Sequence, residues 1–356
     1  MSVPDTLVRP TLAVEMMPSA SEIRTGRRSL HLNSAFIAVL ALGSYTALVF
    51  APVGLLLHLL FAAVLAVACV AIATNVMHDG NHGAYSAGTR RTRLAGWSSD
   101  LLGASSFLWR FKHNRLHHGN TNVVGFDADI EQMPFARLAP QQQWKPWHRF
   151  QHIYMWPLYG FLTLQWFVAS DYQTLMSRRV GSHPLPLAPR RRDVAQILFG
   201  KVLHASWALV LPMFFHPWWH VLLFYVAISW AVGFLLANMF PLAHCVDAVE
   251  FFTPEVARRG SAFELHQLRT TVDIRCNIAV LRPFVHWIMG GLDYQIEHHL
   301  APKLPSTTLH LAAPRLEAAC LEHGVVYHVH RSLSAAVRSH GRWLREMGRR
   351  PSLEVQ

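Results

Sequence analysis

The sequence predicts an all-α integral membrane protein, with four transmembrane helices in two hairpins, interfacial helices and a cytosolic helical cap. Three observations predict it. Fifty residues without a formal charge separate Arg28 from Asp79, and 45 separate Lys201 from Asp247. A bilayer span takes about 20 mostly apolar residues, so each run is long enough for two helices and a turn. The turns are visible as Pro52-Val53-Gly54 and as His216-Pro217-Trp218-Trp219. Paired histidines then follow the ends of these runs, where a span would leave the bilayer.

Composition supports a polar portion outside the membrane, because a mean hydropathy of +0.20 is low for a pure bundle of spans. The net charge of +11 and runs such as Arg190-Arg191-Arg192 fit a nucleic-acid partner on charge alone. Basic residues flanking spans mark the cytoplasmic side and attract anionic lipid heads, and this reading is preferred, with no nucleic acid expected. Cys69, Cys245, Cys276 and Cys320 show no paired spacing, which argues against a disulfide framework or a zinc ribbon. Cys245 beside His244 reads as a packed small residue rather than a soft ligand.

Taken in order, residues 1–30 read as a mobile cytoplasmic tail with no cleavable signal. The first hairpin runs from about 33 to 77 and delivers His78 at its exit. Residues 79–150 are polar, and the stretch 97–103 between the first two histidine pairs is suited to lie along the membrane surface. Residues 150–170 form a third uncharged segment. Lys145 and Arg149 precede it and Arg178 and Arg179 follow it, so crossing would strand one basic cluster on the wrong face. An interfacial or re-entrant helix is expected there, followed by a cytoplasmic loop over 178–192. The second hairpin spans about 202–240. Residues 31–345 therefore form one membrane domain, whose cap is built from 78–200 and 241–345, and 346–356 are a C-terminal tail.

The chemistry lies in the histidines. HDGNH (78–82) places His78 and His82 four apart, and HNRLHH (113–118) does the same for His113 and His117 with His118 at the edge. On an α-helix such residues share a face and can aim at one point. QIEHH (295–299) ends in His298 and His299, and His244 stands alone after the fourth apolar stretch. Two hairpins that both return to the cytoplasm put all eight on one side. Imidazole suits several transition metals, but eight imidazoles with few carboxylates exceed what one zinc takes and suggest two redox metals with open positions for dioxygen. Asp127 and Asp129 read as outer partners that orient imidazoles, or as surface solvation. Isolated His58, His204 and His220 read as packing.

These motifs resemble the three histidine boxes of the membrane fatty acid desaturase family, and AHCVDAVEF (243–251), HQLRTTVDI (266–274) and GGLDYQIEHHL (290–300) look like its bacterial linoleoyl-CoA desaturase-like, front-end-type members. The resemblance implies a cytosolic cap holding two iron ions, ligated by His78, His82, His113, His117, His118, His244, His298 and His299. Gln295 stands where many members have histidine, as a ligand, a water-linked contact or an orienting group. Asp79, Asp127, Asp129, Glu297 and His266 would be outer partners. Trp109, Arg110, Lys112 and Trp287 are candidate substrate contacts. The implied reaction inserts a C=C bond into an acyl chain carried by CoA, a carrier protein or a lipid. It uses O2 and two electrons from a separate ferredoxin, flavoprotein reductase or cytochrome. No HPGG-type segment is present, so no fused haem or flavin domain is expected. The implied location is the bacterial inner membrane, with the active site and both termini cytoplasmic. A related diiron hydroxylase or other lipid oxygenase is the alternative. A non-enzymatic metal carrier is remote, because both hairpins lack formal charges.

Overall fold

The computed structural model describes residues 12–185, 189–259 and 263–351. Among these residues, four helices are long and apolar enough to cross a membrane: Ala20–Phe50, Leu55–His82, Arg191–Met213 and Trp218–His244. They pair as the two predicted hairpins in an integral membrane protein, but each hairpin starts 11 or more residues earlier than the charge-free runs suggest. Arg24, Arg27 and Arg28 lie inside the first helix and Arg191 and Arg192 begin the third, because a helix continues past the bilayer boundary at no backbone cost.

The expected mobile tail is corrected from Leu12 onward. Leu12–Glu15 is a short helix, and Leu12 and Met16 are both wholly buried with Leu309 and Leu316 of the helix Leu309–Glu322. The Glu264 carboxylate accepts from the Leu12 and Ala13 amides. Ser19 then opens the first span with a capping box, its Oγ accepting from Glu22 N while Glu22 accepts from Ser19 N at 2.6 Å. Two apolar side chains and a cap order this stretch without any spanning pattern, which is why hydropathy misses it. Residues 1–11 lie outside the described residues.

The segment 150–170 does not join the spans. It is cut into Gln151–Tyr159 and a second helical stretch, 162–177, with Pro157 and Gly160 at the break. It packs on the fourth span at a close crossing of two glycines. A Cβ on Gly160 would sit 2.1 Å from the Trp230 ring, and one on Gly233 would sit 2.3 Å from the Gly160 carbonyl. A buried cation fastens its far end. Lys201, 4% exposed on the third span, donates to Asp171 Oδ2 at 2.5 Å, Trp166 O at 2.6 Å and Gly103 O at 2.7 Å. Asp171 also accepts from Ser105 N, so one ion pair ties the third span, the broken helix and the loop before the second histidine box.

The described strands are short. Arg179–Val180 pairs antiparallel with His183–Pro184 inside the expected 178–192 loop, of which residues 186–188 lie outside the described residues. Asp273–Ile274 pairs in parallel with Val329–His330 just before the third box. The C-terminal helix Leu333–Met347 closes the cap. Its end is held rather than trailing, with Arg137 donating to Met347 O and Trp144 to Gly348 O. The tail expected from 346 is thus ordered through this region, and residues 352–356 lie outside the description.

Two predictions follow from these ties. Lys201→Met leaves Asp171 buried without its cation and should cost about 3–5 kcal/mol. The thermal midpoint of the purified protein should fall accordingly, and an unchanged midpoint would show that the tie adds nothing. His340 is the second case. Its neutral ring donates from Nδ1 to Cys245 O and accepts at Nε2 from Tyr159 OH, both at 2.8 Å. Burial holds it at about 4 against an ordinary 6.5, with only the Cys245 carbonyl opposing. The unfolded chain therefore binds more protons between these values. The stability is present in full above pH 6.5 and is lost as pH falls toward 4, by roughly 3 kcal/mol. A pH series of thermal midpoints should be flatter for His340→Gln than for the unaltered chain.

Candidate metal centre

The second span ends in HDGNH as its last turn, closed by Gly83 at φ 83°. His78 and His82 stack one turn apart there, with ring centroids 4.6 Å apart. The second box differs from the expected α-helical face. Ser105 caps its helix by accepting from Leu108 N, and the backbone then widens to a π-helix over Phe111–His117, so that His118 N bonds His113 O five residues back. The wider turn brings His113 and His118 together, with Nε2 atoms 3.2 Å apart, and swings His117 toward another group. His113 and His117 still approach one point beside Asp129, as expected, while His118 joins His113 rather than only flanking the pair.

All eight predicted histidines converge, in two adjacent groups. Nitrogens of His78, His82, His113 and His298 lie within 4.8 Å of one another, as do those of His117, His244 and His299. His118 stands between them, its Nε2 3.1 Å from His298 Nε2 and its ring stacked 4.2 Å from His299. His117 and His299 also oppose their Nε2 atoms, at 3.3 Å. Nitrogens bound about 2.1 Å from one metal ion sit roughly 3.0–3.4 Å apart, so these spacings are those of ligands sharing an ion.

The donor chemistry fits as well. His78 Nδ1 and Nε2, His82 Nε2, His244 Nε2 and Gln295 Oε1 are buried without a protein hydrogen-bond partner. Such atoms cost about 1–3 kcal/mol each unless something satisfies them, and a cation would. Four of the rings are also held neutral, which is the ligating form. Burial pushes His113 down to about 3, and burial reinforced by neighbouring imidazoles holds His118, His298 and His299 well below the usual range. His117 goes the other way. Burial opposes its charge, but Asp127 and Asp129 beside it raise its pKa. The convergence of these buried imidazoles fits a metal site.

Outer partners aim the rings. His117 Nδ1 donates to Asp127 Oδ2 at 3.0 Å, His244 Nδ1 to Thr270 O at 3.0 Å and His299 Nδ1 to Gln267 Oε1 at 2.8 Å, which leaves each Nε2 facing inward. Asp129 lies 3.6 Å from His113 Nδ1 and pairs with Lys112 at 2.8 Å. Asp79 works through the chain, accepting from Ser306 N and Oγ, each at 2.9 Å. Glu297 is wholly buried and accepts from Tyr327 OH, while burial and neighbouring Asp273 push its pKa well up. His266 is one step further out, bonding Thr121 O. Gln267 is the partner that sequence reasoning misses. Its Oε1 also accepts from Thr121 Oγ1 and its Nε2 donates to His118 O. Its only signal was its place beside His266 in the quoted HQLRTTVDI stretch.

The four expected substrate contacts each have a protein neighbour. Trp109 lays its ring on His113, 4.3 Å between centroids, and abuts His78 and His82. Arg110 donates to Asn81 Oδ1, Lys112 is taken by Asp129, and Trp287 donates to Asn33 Oδ1. None of the four lines the main cavity. That cavity runs among the spans from Met77 and Ala73, immediately before His78, past Cys69, Leu102, Trp207 and Ile228 to His58, His216 and His220 at the outer turns. His58 and His220, read as packing, form its far end, and His204 hydrogen-bonds Tyr225 on its wall.

Asp127→Asn should weaken metal binding by about 10–100-fold, because the His117 ring loses its anionic partner. Metal per chain after dialysis against a chelator reads this, and full retention would remove Asp127 from that role.

Comparison with known proteins agrees with the geometry. The family model described as fatty acid desaturase matches residues 54–331. The chain is 35% identical over 330 residues to an sn-1 linoleoyl-lipid 6-desaturase of a Synechocystis strain, covering 90% of this chain and 89% of that one. It is 32% identical to a protein of the same name from Arthrospira platensis, over 92% and 88% of the two chains. An acyl-lipid (8-3)-desaturase of Physcomitrium patens is 34% identical, over 89% of this chain and 66% of its own. With four spans, a histidine-lined metal site and these relatives, the chain belongs to the fatty acid desaturase family and is a membrane oxidoreductase that introduces a double bond into an acyl chain.

Proposed function

We propose that the chain is an acyl-lipid 6-desaturase whose metal site holds two irons. The observation that carries this reading is an apolar cavity among the spans whose lining reaches Ala73 and Met77, immediately before His78 and the converging imidazoles. One iron would be held by His78, His82, His113 and His298, the other by His117, His244 and His299, with His118 between them. Gln295 sits about one turn before His298 and His299 on the helix Gln295–Leu300, and its orphaned Oε1 supports a direct or water-linked contact. The acyl-lipid carrier and the position of the new bond rest on the names of the relatives.

When bound, the irons with O2 and two electrons supply the oxidant that removes hydrogen from two adjacent methylenes. The balance is –CH2–CH2– plus O2, two electrons and two protons, giving –CH=CH– and two waters. The protein's own part is placement. Cavity walls such as Cys69, Ala73, Met77, Leu102 and Ile228 hold a chain that has no polar handle by contact and shape. The burial of the imidazoles keeps water away from the ligating nitrogens. Electrons would come from a separate ferredoxin, flavoprotein reductase or cytochrome. The basic residues at the cap-side ends of the spans support a cytoplasmic cap and termini in a bacterial inner membrane.

Expression in a host with linoleoyl lipids, with reductant supplied, followed by mass-spectrometric mapping should show a new double bond at carbon 6 of a lipid-bound chain. A hydroxyl with no new double bond would replace the desaturase reaction by hydroxylation. Iron should measure two per chain in the active protein. His299→Ala should abolish product and lower that stoichiometry while the protein stays in the membrane fraction, and unchanged iron and product would remove His299 from the site.

A further inference from the structure

Outside the four spans, the segment 278–284 exposes large apolar side chains in close succession. Between the strand Asp273–Ile274 and the helix Arg282–Met289, Ile278 is 53% exposed, Val280 86%, Leu281 45% and Phe284 50%. A soluble cap does not leave such a patch uncovered without a partner surface. Its neighbour identifies the partner. Phe284, Pro283 and Trp287 form a groove with Ser29, Leu32, Asn33 and Phe36 of the first span. Leu32 and Phe36 are themselves 74% and 57% exposed and begin the charge-free run that follows Arg27 and Arg28. The patch is therefore continuous with the lipid-facing surface of that span, at the depth where the bilayer begins.

The segment is also fixed at that depth. Trp287 Nε1 donates to Asn33 Oδ1 at 2.7 Å, Asn33 Nδ2 to Asn75 Oδ1 at 2.9 Å, and Asn75 Nδ2 back to Trp287 O at 3.0 Å. Thr74 Oγ1 donates to Ile288 O at 3.0 Å. These bonds join the helix to both helices of the first hairpin. Arg282 flanks the apolar row and donates to Cys276 O, and Arg275 lies at its start. Basic residues beside an apolar face and a tryptophan at its base are the composition of a helix lying in an anionic membrane surface.

We propose that residues 278–287 are a monotopic membrane insertion, with Ile278, Val280, Leu281 and Phe284 in the hydrocarbon of the cap-side leaflet and a lipid acyl chain seated in the groove against Leu32 and Phe36. The chain leaves this insertion through Gly290 and Gly291 directly into QIEHH. The lipid surface thus helps set the depth of the third histidine box, a role that the expected wholly cytoplasmic segment from 250 onward would not have.

The test needs neither iron nor turnover, so it is separable from the desaturase assignment. A nitroxide on Val280→Cys, in a Cys276→Ser background and in nanodiscs of anionic phospholipid, should collide freely with O2 and be shielded from a water-soluble nickel complex. A label on Leu321→Cys, 84% exposed on the helix Leu309–Glu322, should show the opposite. Equal nickel accessibility at the two positions would overturn the proposal. The unaltered protein gives an independent reading. Phospholipid carrying a diazirine on its acyl chain should leave adducts within 277–287 and none within 316–326, and absence of adducts from the first peptide would equally overturn it.

Discussion

Everything in this protein serves the requirement that eight imidazoles share one small, dry volume. Charged rings at these spacings would repel one another without water to screen them, so the cap must bury them and keep them neutral. Burial does this at His113, His118, His298 and His299. Neutrality is not enough, because a neutral ring has two nitrogens and only one lone pair. The Nδ1 acceptors Asp127, Thr270 O and Gln267 settle which nitrogen faces inward at three positions.

That requirement explains the use of local backbone irregularity. A regular α-helix places residues four apart on one face but cannot divide three closely spaced histidines between two metal groups. The π-helix over Phe111–His117 does so, pairing His113 with His118 and turning His117 to His244 and His299. The second span carries a similar widening over Ile72–Met77 just before His78. The first widening immediately precedes His78 and the second contains His113 and His117, so each alters the direction in which those rings point.

The membrane domain and the cap are joined through polar side chains rather than through apolar packing alone. Lys201 and Asp171 tie the third span to the broken helix, and Asn33, Asn75 and Trp287 tie the first hairpin to the helix before the third box. Each tie is buried or half-buried, so breaking it leaves unsatisfied groups and the geometry is strongly specified. The cavity lining reaches Ala73 and Met77, immediately before His78.

Hydropathy determined the two hairpins and their common exit, since the absence of charge over 50 and 45 residues is a direct consequence of bilayer solvation. Histidine spacing, with that topology, determined which eight side chains meet. The break in the segment 150–170 at Pro157 and Gly160 was legible only as a proline in an uncharged run. Helix starts were not legible, because nothing in the charge pattern says how far a span projects into the cap. Nor were Leu12 and Met16, whose partners lie some 300 residues away. The grouping of the histidines, the role of Gln267 and the protein neighbours of Trp109 and Trp287 were decided only by the tertiary structure. They depend on π-helical backbone and on contacts between segments far apart in the chain, and local spacing encodes neither.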